Sequence, residues 1–219
     1  MNQILMTNSS IYNNLNNKKR NKFFFKIQFI FSIILTIICI SSYIFFLYNL
    51  NKKEQLSTNI SNNFKIARLY SNNSDYILQH FSSNNNSNGN LLKVIGLIEI
   101  DKIQISYPFF DEINDELLKI APCKFYGPKP NETGNLCIAG HNYESYKFFS
   151  NLKDLQAGDE IKIYDLSGKT VKYIIYEKLQ VDPTNMSITN QKTDGLKEIT
   201  LVTCNNFGTK RTVIKAREI

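Results

Sequence analysis

The chain has 219 residues and a formal charge of +7, from 26 Lys and Arg against 19 Asp and Glu. Residues 1–50 hold five basic residues (Lys18, Lys19, Arg20, Lys22, Lys26) and no acid, so residues 51–219 carry a net charge of only +2. That distribution argues against a uniformly basic nucleic-acid binder. Four cysteines without a C-x-x-C pair, beside two histidines, leave too few close ligands for a zinc site.

Residues 1–26 are read as a basic N-terminal segment. From Ile27 to Leu50 the chain runs IQFIFSIILTIICISSYIFFLYNL, 24 residues without a charge. About 20 apolar residues cross the hydrocarbon core of a bilayer. Tyr43 and Tyr48 lie where an interfacial aromatic belt would place them. A cleaved signal peptide has an apolar core of about 7–15 residues and a small-residue cleavage site. This run is longer, and Asn49-Leu50-Asn51 is no such site. The segment predicts an uncleaved transmembrane anchor. The basic cluster before it outweighs Lys52 and Lys53 after it, which predicts a cytoplasmic N-terminus and an extracellular remainder.

Residues 51–90 are Asn- and Ser-rich and read as an extracellular linker. A weak helical stripe (Ile60, Phe64, Ala67) predicts a turn or two of helix, and Ser82–Asn90 reads as a flexible spacer.

Residues 91–219 change texture to short β-rich runs. KVIGLIEI (93–100) and IQISYPF (103–109) read as strands around Asp101-Lys102. DEINDELLK (111–119) carries helix signals, with acids early and Lys late. GNLCIAGH (134–141) reads as a buried strand and YKFFSNLKDL (146–155) as a short helix. EIKIYD (160–165), a Leu166–Lys169 turn and TVKYIIYEKLQV (170–181) predict a hairpin. EITLVTC (198–204) and RTVIKAR (211–217) predict a second one. Seven or eight short strands with one or two short helices favour a closed or nearly closed β-barrel.

Three residues stand out chemically. Cys204 ends a strand and enters a polar loop, whereas Cys137 lies mid-strand, Cys39 in the membrane run and Cys123 in a loop. A Cys123–Cys137 disulfide is open to a domain outside the cell. His141 ends an apolar strand, while His80 sits in the polar spacer and reads as inert. A thiol nucleophile needs a partner to handle protons, which couples His141 to Cys204. Arg211 follows Cys204 by seven residues across a six-residue loop, so an antiparallel pair sets the two side by side. Its charge would favour a thiolate and an oxyanion. Arg217 lies six residues further on, about 20 Å along the strand.

TLVTC (200–204) followed by Arg211 in RTVIKAR resembles the signature of sortases, the membrane-anchored cysteine transpeptidases of Gram-positive bacteria. NLCIAGHNY (135–143) resembles the strand and loop carrying the sortase histidine. VIGLIEIDKIQISYPFF (94–110) is similar to the opening strands, with Asp101 in place of the usual Pro, and LKDLQAGDEIKIYD matches the segment after the histidine. The resemblance spans about residues 93–217. It implies a closed eight-stranded sortase β-barrel over 91–219, with Cys204 as nucleophile, His141 as general acid/base and Arg211 stabilising the oxyanion.

It also implies substrates that are surface proteins with a C-terminal signal similar to Leu-Pro-x-Thr-Gly. The acceptor would be an amine of a peptidoglycan precursor or a pilin. No cofactor or metal is expected, because the acids at 111–116 read as a solvated helix face. No lid motif, no C-terminal membrane helix and a short 181–197 connection favour a class D-like member. Two alternatives stand beside this: an anchored cysteine peptidase using water, and a non-catalytic surface β-domain that binds wall components.

Overall fold

The computed structural model of the chain describes residues 2–70, 86–87, 90–91, 93–143, 147–205 and 208–219. The chain divides into two compact units, Met1–Lys52 and Lys53–Ile219. Helix α1 (Asn2–Tyr70) contributes to both.

In the first unit, the large apolar side chains from Phe23 to Tyr48 are exposed along the helix. It is long and apolar enough to cross a membrane. Hydroxyls in such a span must find partners within it. Thr36 donates to the Ile33 carbonyl at 2.7 Å and Ser41 to that of Ile38 at 2.9 Å.

In the second unit α1 packs on the barrel. Leu56, Ile60 and Phe64 recur at i, i+4 and i+8 and so share one face. Ile60 and Phe64 are buried in a cluster with Val94, Leu97, Phe110, Ile120, Ala121, Cys123 and Tyr164. Ser61 Oγ donates to the Ser106 carbonyl at 3.2 Å, and Lys65 pairs with Glu99 at 3.1 Å. The helix thus runs well past the turn or two expected after the membrane segment. Asn and Ser are weak helix formers, and the tertiary packing of one face supplies what their propensity lacks. His80, and the Ser82–Asn90 spacer apart from a two-residue ladder (Asn86–Ser87 with Asn90–Leu91), lie outside the described residues. The side chain of Ala67 lies outside them too.

Eight strands close the barrel: β1 (Val94–Ile100), β2 (Ile105–Phe110), β3 (Cys123–Tyr126), β4 (Gly134–Ala139), β5 (Glu160–Asp165), β6 (Thr170–Val181), β7 (Lys197–Asn205) and β8 (Lys210–Glu218). The order is β8-β6-β5-β1-β2-β3-β4-β7, with β7 returning to β8. Pairing is antiparallel except for β2 with β3 and β4 with β7. The interior holds Ile98, Phe109, Ile138, Ile163, Tyr173, Leu201 and Ile214, and Phe149, Leu152 and Leu155 join the same core. Fully burying each such side chain contributes roughly 1.5–3 kcal/mol.

Two local expectations are corrected. Cys123 opens β3 and does not lie in a loop. That strand has four residues, a bulge against β4 and a single pair to β2, so it shows no alternation to read. The helix expected over 111–119 shrinks to one turn, α2 (Asp115–Leu118). Asn114 sets its start, accepting the Leu117 N–H at 2.9 Å as an N-cap does.

Phe64→Ala is expected to destabilise the full chain by about 3–5 kcal/mol, the usual cost of emptying a buried aromatic site. Urea denaturation in micelles measures it; an unchanged midpoint would mean that the helix does not belong to the folded unit.

Candidate active site

Strand direction brings the three singled-out residues together. β4 and β7 run parallel with Ala139 opposite Val202, so both strands end at the same rim. His141 stands two residues beyond Ala139 and Cys204 two beyond Val202. The hairpin from β7 to β8 places Arg211 directly opposite Cys204. Residues so paired lie on one face of the sheet, with Cβ atoms about 5 Å apart. Leu201 and Ile214 point inward, so alternation places Cys204 and Arg211 on the outer wall with Val202 and Val213. Arg217 falls at the other end of β8. It is bound to Glu198 at 2.7 Å and lies 5.0 Å from the Tyr176 ring centroid.

Hydrogen bonds carry the β4–β7 pairing past the last strand residue. Gly140 N–H donates to the Val202 carbonyl at 3.0 Å and Thr203 Oγ1 to the Gly140 carbonyl at 2.8 Å. Asn142 Nδ2 donates to the Cys204 carbonyl at 2.9 Å. His141 is flanked by residues tied to the cysteine strand. Gly140 is required here because a Cβ would stand 2.6 Å from the Phe149 ring. Neither Asn142 nor Thr203 was singled out from sequence, because their bonds exist only once β4 pairs with β7.

The chain after His141 folds back on itself. Phe149 N–H donates to the His141 carbonyl at 3.1 Å, and Asn142 bridges to Phe148. Phe148 adopts a left-handed backbone (φ 50°), which costs a bulky residue about 1–3 kcal/mol. Its ring offsets that cost by burial, stacked on Tyr107 at 5.1 Å and tilted against Tyr143 at 5.6 Å. Tyr143 in turn lies 4.9 Å from the His141 ring. Burial holds the His141 pKa below its usual 6.5. The Asp115 charge opposes the shift and the Lys119 charge adds to it.

Arg211 directs Nη1 to the carbonyls of Gly208 at 2.9 Å and Lys210 at 3.2 Å, which fastens it to its own loop. A guanidinium carries five N–H donors, so donors remain for an anion. Beside the pair, Val181, Ile188, Val202 and Val213 form a buried apolar cluster with the partly buried Phe125 and Leu179. The β6–β7 connection is fastened there by Asn135. Its Nδ2 donates to the Ile188 carbonyl at 3.0 Å and its Oδ1 accepts from Thr200 at 2.8 Å.

The other cysteines differ in kind. Cys123 and Cys137 are free and buried, and burial pushes each thiol up to about 12. They form no disulfide. Cys204 is half-buried. Of the acids at 111–116, Asp111 is engaged by Lys93 and Lys124, and Glu116 by Lys53 and Lys119. Among the described residues no group of three or more His, Cys, Asp or Glu is placed to hold a metal ion.

The sortase-domain family model matches residues 98–219. Sortase A of Staphylococcus aureus is 28% identical over 131 residues, 58% of this chain; the chain spans 63% of that relative's length. The solved structure of a Clostridium perfringens sortase D5 transpeptidase is 31% identical with a TM-score of 0.61, covering 76% of this chain and 99% of its own. That of Listeria monocytogenes sortase A is 25% identical with a TM-score of 0.53, covering 57% and 87%.

Iodoacetamide at neutral pH is expected to alkylate Cys204 and to spare Cys123 and Cys137 until the barrel is unfolded, as read by peptide mass spectrometry. Labelling of either buried thiol in the native state would contradict their burial. His141 is expected to titrate below 6.5 by NMR. The unfolded chain then binds the proton more readily, so this group's contribution to stability is present above pH 6.5 and is lost as pH falls through the folded midpoint. A midpoint above 6.5 would reverse that sign.

Proposed function

The chain belongs to the sortase family, and from that premise we propose that it is a membrane-anchored cysteine transpeptidase with Cys204 as nucleophile, His141 as general acid/base and Arg211 as oxyanion stabiliser. The observation that carries this reading is the shared rim: β4, β7 and β8 bring the three residues to neighbouring positions at one end of the barrel.

The chemistry runs in two balanced steps. Cys204 Sγ attacks the carbonyl carbon of the Thr in a Leu-Pro-x-Thr-Gly-like signal, and the thiol proton passes through His141 to the departing Gly nitrogen as the C–N bond breaks. An incoming amine then attacks the thioester, gives up a proton to His141, and the C–S bond breaks to return the thiol. Burial of His141 favours its neutral form, the form able to take up the thiol proton. Arg211 would stabilise the tetrahedral oxyanion, where a single preorganised donor contributes about 10²–10³ in rate. The apolar cluster around Val181, Ile188 and Val202 would seat the apolar part of the signal.

Residues 27–50 serve as the anchor with residues 1–26 in the cytoplasm, which leaves the barrel outside the membrane. Substrates are surface proteins, and acceptors are amines of a peptidoglycan precursor or a pilin, in a Gram-positive wall. A class D-like assignment is supported by the likeness to the Clostridium perfringens sortase D5.

Incubating the protein with a pool of Leu-Pro-x-Thr-Gly peptides, with and without triglycine, is expected to give a Cys204 thioester and an amine-dependent ligated product. Cys204→Ala is expected to abolish the thioester, and His141→Ala and Arg211→Ala to slow its formation by about 10²–10⁴-fold. Hydrolysed product alone would favour a peptidase, and full activity in Cys204→Ala would refute the mechanism.

A further inference from the structure

We propose that residues 53–64 of α1 are a positioning element for His141, acting chiefly through the ion pair between Glu54 and Lys147; this rests on the proton-transfer role proposed above for that histidine. The helix touches the site from one stripe. Glu54, Ser57, Ser61 and Phe64 recur at spacings of three and four and face the barrel together.

Three routes lead from that stripe to the imidazole. The first starts at the Glu54–Lys147 pair, whose side chains are each about one-third exposed. The Lys147 carbonyl accepts the Ser150 hydroxyl at 2.7 Å, and Ser150 Oγ accepts the Tyr143 N–H at 3.0 Å. Tyr143 then lays its ring against His141 at 4.9 Å. The second starts where Ser61 binds the carbonyl of Ser106. The next residue, Tyr107, accepts the Phe148 N–H at 3.3 Å and stacks on the Phe148 ring, which tilts against Tyr143.

The third route is electrostatic. Among the described residues, Asp115 at the start of α2 and Lys119 just past its end carry charges that bear on His141. Lys53 of α1 binds Glu116 at 3.0 Å, and Glu116 holds Lys119 at 2.6 Å. One helix face therefore bears on both the orientation of the imidazole and its local field. The left-handed Phe148 lies between the first two routes, and such a backbone persists only where its surroundings over-determine it.

An ion pair this exposed contributes little to stability. Removing it should leave the barrel folded and disturb only what it orients, so it is the place to test. The protein for the test is the full chain in detergent micelles, as wild type, Glu54→Gln, Lys147→Gln, the charge-reversed pair Glu54→Lys with Lys147→Glu, and His141→Ala. Two quantities are read: the pH profile of Cys204 alkylation by iodoacetamide, and kcat and KM for the Leu-Pro-x-Thr-Gly peptide pool.

Each single variant is expected to lower kcat by about five- to fiftyfold with KM within about twofold, the effect of a misplaced catalytic group. Each is also expected to move the alkylation profile toward that of His141→Ala, and the reversed pair to restore both quantities at an unchanged melting temperature. Single variants that match wild type, a reversed pair no better than the singles, or a loss of activity that only follows a lowered melting temperature would overturn the inference. His141→Ala with wild-type cleavage would instead overturn the proton-transfer role on which it rests.

Discussion

The parallel pairing of β4 with β7 is the constraint on which the candidate site depends. Parallel strands end at the same rim, and β8 returns antiparallel from that rim, so the end of one strand and the start of another meet there. Reversing β4 would send His141 to the opposite end of the barrel from Cys204. The pairing is sustained beyond the strands by Gly140 on Val202, Thr203 on Gly140 and Asn142 on Cys204. These bonds lock two backbone segments that are 62 to 63 residues apart in sequence.

Around this rim the molecule divides its work by burial. The barrel interior is packed chiefly with aliphatic and aromatic side chains, which makes it stiff. Cys123 and Cys137 are chemically quiet, because burial disfavours their thiolates. The candidate site stands on the outer wall, where a half-buried thiol lies opposite a cation. The same principle sets Arg211 apart from Arg217. The latter is engaged by Glu198 and Tyr176, while among the described residues Arg211 is held by two loop carbonyls.

Much of the barrel was legible because its longer strands have clear signals. The alternation in residues 170–181, the β-branched run at 198–204 and the turn at Leu166–Lys169 mark strands on physical grounds alone. β3 was illegible: four bulged residues with one bridge to β2 leave no period to detect. The docked half of α1 was only half legible. Ile60 and Phe64 showed the stripe, but Asn- and Ser-rich surroundings concealed how far the helix runs, since that length depends on a partner surface. In the site, Cys204 and Arg211 could be paired by counting along a hairpin. Tyr143, Phe148 and Ser150 could not, because their roles arise from a loop that folds back and from a left-handed residue with no sequence marker.

By itself, the sequence determined the charge partition, the apolar run at 27–50, the strand-rich texture of the remainder and the identities of one strand-end cysteine, one strand-end histidine and one nearby arginine. These are local quantities, set by composition, period and short spacing. Only the tertiary structure decided that His141 reaches the same rim as Cys204, that two of the cysteines are buried and that a polar-looking helix is part of the folded unit. Each of those depends on which distant segments pair and what they bury. Strand order and burial are properties of the closed barrel, and no window along the chain contains them.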